Sequence, residues 1–471
     1  MNPPSSPPPH PNTGHAEESP RVPPPQPLIA PWPSMGLAMC IETHALFPAA
    51  LPDNSKEGAY LGFVEPGEDP VKEQYERWPY PPESDNPGVF ARYLKLYEVL
   101  GNFTHRFWPA GKPRENLQIL VAGCGTLAAA CYAYNYPRCQ VVGIDLSRAS
   151  LEQEQKLKEQ HRLQNLTLEQ CSIEDAAKLG GCYDFISCQG VLHHTEKPAE
   201  ALRVLGGMLS REGIISLALY GKYPRGPVYP FQELFRLLGL DQSPESVAVV
   251  RETLAVLPAD HPLQSYLRHA VDQQTDVGLV DTFLHARDRA YSVSDCLALV
   301  AEAGLVFQGW DMNFGYHPDG SLCGNPRLRE RIAALTEEQT WQAMETVSGS
   351  MRMHEFHVCR ADRDPATYRV PWDSERLLEC VPGHCVDLLR IGGTPENPLW
   401  AMGRGALRAV PLTPTQAVLF SKIDGRRNVR EVLAAAGATG PDEALLATVQ
   451  PLLRLLWRTG YGVFCLPRWR S

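Results

Sequence analysis

The chain of 471 residues is too long for one ordinary domain, and with 44% apolar and 21% charged residues most of it should fold. Its net charge of -10 argues against nucleic-acid binding, and no apolar run is long enough to span a membrane. The 13 cysteines include no CxxC pair, and the first residues lack the apolar segment of a secretory signal. We therefore predict a reduced, cytoplasmic protein.

Composition and pattern predict five regions. Residues 1–35 are rich in proline and cannot bury a core, so we expect disorder there. The regions are a disordered tail at 1–35, an N-terminal extension and lid at 36–110, a main domain at 111–362, a linker region at 363–410 and a small winged-helix-like domain at 411–471.

Three segments of the extension have a sequence pattern that predicts structure. A strand is predicted near 59–64, and one helix is predicted from Gly88 to Phe103. Between them, Gln74 to Pro82 is aromatic and rich in proline. Because prolines oppose helix formation, this segment is expected to be a rigid lid or a packing strap.

The main domain alternates strand-like apolar runs with helical stretches. Several strands are continuous apolar runs, which is typical of strands covered by helices on both faces. The pattern predicts an α/β fold, a doubly wound Rossmann-like sheet with helices on both faces. Strands are predicted at 117–122, 140–145, 166–171, 183–188, 213–219, 305–311 and 353–359.

The strongest local signal is the first strand and the glycine turn that follows it. Gly123 and Gly125 let the backbone approach a ligand, and the following helix directs its positive N-terminus at it. Asp145 ends the second strand, where an acid can accept hydrogen bonds from ribose hydroxyls. The turn alone fits NAD, FAD or S-adenosylmethionine equally well.

The residues at the ends of the later strands favour one of these three cofactors. The chain resembles class I S-adenosylmethionine-dependent methyltransferases in four blocks whose order matches the first four strands of that family. The blocks are Val121–Thr126, Val142–Ser147, Ser172–Asp175 and Phe185–His194. It is also similar to bacterial methyltransferases of unassigned substrate at 75–81, 220–229 and 281–291, so the resemblance covers roughly 70–362.

The resemblance implies S-adenosyl-L-methionine as cofactor and assigns each contact residue a part of it. Asp145 is expected at the ribose, Leu146 and Ile173 on the two faces of the adenine, and Ser172 to Glu174 near the adenine amino group. The residues expected along the methionine part are Gly123, Cys124, Gly125, Thr126, Gln189 and Gly190.

Three positions depart from the family pattern. Val121 stands where an acid commonly helps to hold the amino end of the cofactor, Leu127 replaces a frequent third glycine, and Ser172 replaces a frequent acid. The prediction is a methyltransferase acting by in-line displacement on an unidentified protein side chain or small molecule. The alternative is a catalytically weak or inactive cofactor-binding regulatory or scaffold protein.

Methyl transfer needs a general base only if the nucleophile must lose a proton. His194 is the preferred candidate, with His193 beside it, because an unshifted histidine titrates near neutral pH. Tyr220 follows the fifth strand and is the third predicted catalytic residue. Each also has a structural interpretation, the histidines as cofactor-site architecture and Tyr220 as part of a packed loop in which Arg225 is solvated.

Remaining polar groups have simpler explanations. Asp288 and Arg289 are interpreted as a structural ion pair. His354 and His357 are three apart on a strand, so their rings point to opposite faces and do not form a zinc motif. The cluster Cys380, His384 and Cys385 lacks a fourth ligand. We therefore predict no metal.

The C-terminal unit has three helices and a strand. It resembles small winged-helix peptide-binding modules of the PqqD type around 419–428, which implies a peptide or protein partner. A transcription regulator is disfavoured because Arg426, Arg427 and Arg430 are its only local basic cluster.

Overall fold

The structure is a computed structural model. The predicted tail at 1–35 and the strand predicted at 59–64 lie outside the residues that it describes. The described ranges are 69–82, 87–319, 325–404 and 409–467.

The N-terminal extension is more helical than predicted. A helix covers part of the proline-rich segment because Asp69 caps its start and Pro70 occupies its first position, where proline is tolerated. The prolines that follow end this helix instead of preventing it. The single helix predicted from Gly88 is in fact two. The helices are α1 Pro70–Arg77, α2 Pro87–Leu96 and α3 Val99–Phe107.

A seven-stranded sheet forms the main domain, in the order β3-β2-β1-β4-β5-β7-β6, with the first five strands parallel and β7 antiparallel to both neighbours. The prediction of a doubly wound Rossmann-like sheet is confirmed. The strands are β1 Gln118–Ala122, β2 Gln140–Asp145, β3 Leu166–Gln170, β4 Tyr183–Gln189, β5 Leu209–Tyr220, β6 Leu305–Trp310 and β7 Met353–Arg360.

Helices cover both faces of this sheet. Alternate residues of each strand enter two apolar clusters, with Ile119 and Phe185 on one face and Leu120 and Ile186 on the other. The helices are α4 Ala128–Asn135, α5 Arg148–His161, α6 Pro198–Gly207, α7 Lys222–Arg225, α8 Tyr229–Leu237, α9 Pro244–Ala255, α10 Leu263–Leu267, α11 Asp276–Phe283, α12 Val293–Glu302, α13 Pro326–Ala333 and α14 Glu337–Ser348.

The region predicted as a linker contains three strands and the first residue of a fourth. One of them, β8, pairs with the last strand of the chain, and the other three form a small sheet. Leu377 and Cys380 share an apolar cluster with the C-terminal helices. The PqqD-type resemblance stays a prediction. The elements are β8 Val381–His384, β9 Asp387–Gly393, β10 Pro398–Gly403, β11 Val410–Leu412, α15 Pro414–Phe420, α16 Val429–Ala435, α17 Asp442–Arg458 and β12 Gly462–Cys465.

Across the ranges that the structure describes, every helix is too short or too polar to pass through a bilayer.

A buried carboxyl group supports the glycine turn from below. Glu154 lies on the inner face of α5, and its two oxygens accept the backbone N–H groups of Ala129 and Ala130 at 2.8 and 2.9 Å. These N–H groups belong to the first turn of α4 and have no partner within their own helix. Burial raises the pKa of Glu154 to about 8. Sequence reasoning missed Glu154, although an acid on the apolar face of a helix is a usable signal.

Glu154→Ala is expected to lower the free energy of unfolding by about 2–3 kcal/mol, because it leaves two buried N–H groups without acceptors. Urea unfolding followed by circular dichroism measures this change. Glu152→Ala is the matched control on the exposed face of α5, and its expected effect is within about 0.5 kcal/mol. Equal losses in the two variants would contradict the support role.

Candidate functional site

A cavity of about 680 Å³ opens at the carboxyl edge of β1, β2, β4 and β5. This is the edge where open α/β sheets bind ligands. Of the predicted cofactor residues, ten line the cavity, and Thr126 does not. The ten are Gly123, Cys124, Gly125, Asp145, Leu146, Ser172, Ile173, Glu174, Gln189 and Gly190.

The glycine turn is shaped by close contacts that only glycine allows. Gly123 and Gly125 have φ values of 74° and 56°, in the left-handed region. A Cβ atom on Gly125 would lie 2.6 Å from the backbone oxygen of Tyr80, and one on Gly123 would lie 2.5 Å from Val191. The turn is therefore fixed between the end of β4 and the N-terminal extension.

Asp145 links the turn to the end of β2. Its two carboxylate oxygens accept the N–H groups of Gly125 at 2.8 Å and Ser147 at 2.9 Å. Burial raises the pKa of Asp145, while these two hydrogen bonds oppose the rise. Each oxygen keeps a second lone pair, so the carboxylate can accept ribose hydroxyls without losing its backbone contacts.

The segment after α1 forms a strap over the turn. Thr126 donates its hydroxyl to the carbonyl of Pro81 at 2.8 Å, which explains why it faces away from the cavity. Ser147 donates to the carbonyl of Tyr75 at 2.9 Å. Tyr75 and Tyr80 line the cavity, an arrangement compatible with both the lid and the packing strap that the sequence predicts.

His194 lies at the cavity wall in a fixed orientation. Its Nδ1 lies 2.8 Å from the carbonyl oxygen of Arg287, and its ring stacks on His285 with centroids 3.9 Å apart. Because a carbonyl can only accept, Nδ1 carries a proton and Nε2 is the nitrogen available as a base. His193 is buried, does not line the cavity, and packs against Tyr220.

An acid that was not predicted as a site residue organises this wall. Asp281 on α11 accepts the hydroxyl of Tyr75 at 3.0 Å and the hydroxyl of Tyr220 at 3.2 Å. The phenol of Tyr75 also lies 3.2 Å from Nε2 of His285. Burial raises the pKa of both tyrosines, so both remain protonated donors at neutral pH.

The prediction that Arg225 is solvated is wrong. Its guanidinium is buried, contacts Asp288 at 2.7 Å and lies over the ring of Tyr220 at 3.8 Å. Asp288 therefore pairs with Arg225 and not, as the sequence suggested, with Arg289. The partner comes from the loop after β5, 63 residues earlier in the chain, which no local spacing indicates.

His194, Asp281 and His285 lie close enough together to suggest a metal site, since their nearest ligand atoms fall within 4.8 Å. However, Nδ1 of His285 accepts the N–H of Arg287 at 2.9 Å. The neutral ring then carries its proton on Nε2, the atom that faces Asp281, and cannot offer a lone pair to an ion. The donor set does not fit a metal.

The histidines considered in sequence for zinc have other partners. Nε2 of His354 lies 3.2 Å from the carboxylate of Glu345, and its Nδ1 forms a hydrogen bond with the hydroxyl of Tyr316. Nδ1 of His357 forms a hydrogen bond with the carboxylate of Asp311 at 2.7 Å. These contacts are compatible with the prediction that neither holds a metal.

Comparison with known proteins agrees with this geometry. Residues 113–225 match the family model described as a methyltransferase domain. The match begins before β1 and ends after β5, so it includes the carboxyl ends of β1, β2, β4 and β5 at the cavity. The chain carries a class I methyltransferase domain. S-adenosyl-L-methionine is the cofactor of this domain, and the chain is a methyltransferase that depends on it.

Relatives extend the likeness beyond the domain. An uncharacterised protein from Synechococcus sp. is 28% identical over 322 residues, covering 66% of this chain and 76% of its own length. One from Rickettsia prowazekii is 31% identical over 146 residues, covering 30% and 56%. The structure of PKMT2 from Rickettsia typhi covers 82% of this chain and 78% of its own at 16% identity, with a TM-score of 0.54, which shows a shared fold.

Val121, the main departure of this methyltransferase from the family pattern, is buried in the apolar cluster beneath the turn. It does not line the cavity, so the turn supplies no carboxylate to the amino end of the cofactor.

Asp145→Ala is expected to weaken binding of S-adenosylhomocysteine roughly 10- to 100-fold, because hydrogen bonds to a charged group contribute about 1.5–3 kcal/mol. Isothermal titration calorimetry measures the affinity. Asp175→Ala removes an exposed acid paired with Lys178 and should bind like the wild type. If both variants bind normally, the ribose contact lies elsewhere.

Proposed function

We propose that this methyltransferase acts on a nucleophile that loses a proton during transfer, with His194 as the general base. The observation that carries this proposal is the hydrogen bond between Nδ1 of His194 and the carbonyl of Arg287. It supports a single neutral tautomer whose basic nitrogen, Nε2, is at the cavity wall.

The electrostatics of the wall suit a neutral base. Burial lowers the pKa of His194, although Asp281 and Asp288 act in the opposite direction. The imidazole is therefore neutral, and able to accept a proton, at and above neutral pH. Arg225, the nearest buried cation, has its charge balanced by Asp288 at 2.7 Å.

The other predicted catalytic residues have supporting roles in this proposal. Tyr220 stays protonated and donates a hydrogen bond to Asp281, so it orders the wall and does not act as a base. His193 packs against the ring of Tyr220, with centroids 4.0 Å apart, and fixes its position. Burial also lowers the pKa of His193 far below its ordinary value, so it stays neutral.

The bound cofactor supplies an electrophilic methyl group. The residues of this chain hold the acceptor in line with it and exclude water. When bound, the cofactor would transfer its methyl group to the acceptor and leave as S-adenosylhomocysteine with the electron pair of the carbon–sulfur bond, and Nε2 of His194 would take the acceptor proton. The PKMT2 structure in complex with AdoHcy supports a product-bound state of the same fold.

Incubation of the purified chain and a cell extract with methyl-labelled cofactor is the direct test. Label in a protein or small-molecule fraction, reduced with an Asp145→Ala control at the same cofactor concentration, is the expected result. Calorimetric binding of S-adenosylhomocysteine without label transfer would favour the inactive cofactor-binding alternative. Failure to bind at all would overturn the cofactor assignment.

His194→Gln is expected to reduce the labelling rate by about 10²- to 10⁴-fold, the usual contribution of a general base. Because the pKa of His194 is lowered, the wild-type rate should be constant at neutral pH and fall only below the ordinary histidine pKa of about 6.5. His194→Gln should lose that acid limb while binding S-adenosylhomocysteine normally.

His161→Gln is the matched control for this pH profile, since its ring lies on α5 against Phe90, away from the cavity. It should keep both the rate and the acid limb. An unchanged limb in His194→Gln would assign the titration to another group.

A further inference from the structure

The cavity continues beyond the glycine turn into a chamber between α3 and the sheet. Ser216 on β5 lines the chamber floor, and it is in register with Ser187 on β4 and His357 on β7. Asn102 on α3 forms the roof, and Asp311 and Glu355 line the far end. We call this part of the cavity the α3 chamber.

One wall group of the α3 chamber lacks a partner. Asn102 is 9% exposed, and within the described residues its Oδ1 has no hydrogen-bond donor. An unsatisfied buried amide oxygen costs free energy unless a ligand or water donates to it. This atom therefore calls for a donor inside the chamber.

The far end of the chamber also presents acceptors. Asp311 is 4% exposed and accepts Nδ1 of His357 at 2.7 Å. Burial lowers the pKa of His357, so this ring donates a neutral N–H and does not cancel the carboxylate charge. Glu355 pairs with Ala218 across β5 and β7, which brings its carboxylate to the same face of the sheet.

Cations at the cavity wall are directed elsewhere. Arg287 donates to Asp69 and to the carbonyl of His194, and Arg352 donates to the carbonyl of His269 and lies over the ring of Tyr266. Lys95 is exposed at the surface. The α3 chamber therefore combines the unpartnered amide oxygen of Asn102 with the buried carboxylate of Asp311.

We propose that the α3 chamber binds a primary ammonium group, with Asn102 Oδ1 and the Asp311 carboxylate as acceptors. An ammonium has three donors and no acceptor, which matches this lining. Two sources share this chemistry, the amino group of the cofactor itself and an amine on the methyl acceptor. The inference rests on the proposed function, because it assumes that the cofactor occupies the adjoining turn.

Val121 makes the first source chemically reasonable. Since no acid follows β1 at the turn, the cofactor amino group would find its carboxylate across the sheet instead of beside the glycines. The second source is reasonable because the cavity extends past Gln189, which is predicted at the methionine part of the cofactor, to Ser216 and Ala218 on β5. This part of the cavity leaves room for a methyl acceptor.

Calorimetry on the full chain separates the two sources. S-adenosylhomocysteine carries the ammonium, and 5′-methylthioadenosine is a matched ligand that lacks the amino-acid part. If the cofactor supplies the ammonium, Asn102→Leu and Asp311→Asn should weaken S-adenosylhomocysteine roughly 10- to 100-fold and leave 5′-methylthioadenosine within about twofold. Asn102→Asp, which keeps an acceptor and adds charge, should bind S-adenosylhomocysteine at least as tightly as the wild type.

If the methyl acceptor supplies the ammonium, both nucleosides should bind all variants normally. Ligand-observed NMR with saturating S-adenosylhomocysteine then should detect n-butylammonium but not its neutral isostere n-butanol, and Asp311→Asn should remove the signal. Asp362→Asn changes an exposed acid outside the cavity and is the control in both experiments.

The proposal is overturned if the variants bind S-adenosylhomocysteine normally and n-butylammonium binds no better than n-butanol. Melting temperatures identify a variant that fails to fold, and Glu355→Gln then replaces it in both experiments. If wild-type protein fails to bind S-adenosylhomocysteine, the proposed function fails, whereas the comparison of n-butylammonium with n-butanol still decides whether the chamber takes an ammonium.

Discussion

The carboxylate of Asp145 is the interaction on which the methyltransferase site depends. It accepts one backbone N–H from the glycine turn and one from the start of α5, so it fixes two strand ends relative to each other. Glu154 repeats the arrangement one layer deeper, with two N–H groups from the first turn of α4. Two buried acids thus hold the backbone that faces the cofactor, and this rigidity is what a preorganised site requires.

The acceptor side of the cavity is built from distant segments. Helix α1, the turn after β4 and the insertion between β5 and β6 contribute Tyr75, His194 and Asp281 to one wall. Hydrogen bonds through Asp281 join the first and last of these segments. A methyltransferase needs a dry and aligned site more than it needs charged groups, and a wall of buried, mutually bonded side chains provides this.

Sequence reasoning was most accurate where one element determines the outcome. All seven strands of the main sheet were predicted within a few residues, and the signal was clearest for the parallel strands that are continuous apolar runs covered on both faces. It failed at β8 to β11, where short, half-exposed strands leave no period, and at α1, where capping by Asp69 outweighs the later prolines. The pairing of Asp288 with Arg225 could not be predicted, since the two residues are 63 positions apart.

The sequence by itself determined the fold class, the cofactor turn and ten of the residues that line the cavity, because each depends on the order of residues within one strand and its following turn. Only the tertiary structure decided the tautomer of His194, the absence of a metal-compatible donor set at His285, and the acceptor-rich α3 chamber. These properties arise where side chains from separate elements meet. A hydrogen bond between segments far apart in the chain leaves no periodic signal in the sequence. Its partners can therefore be identified only from the folded structure.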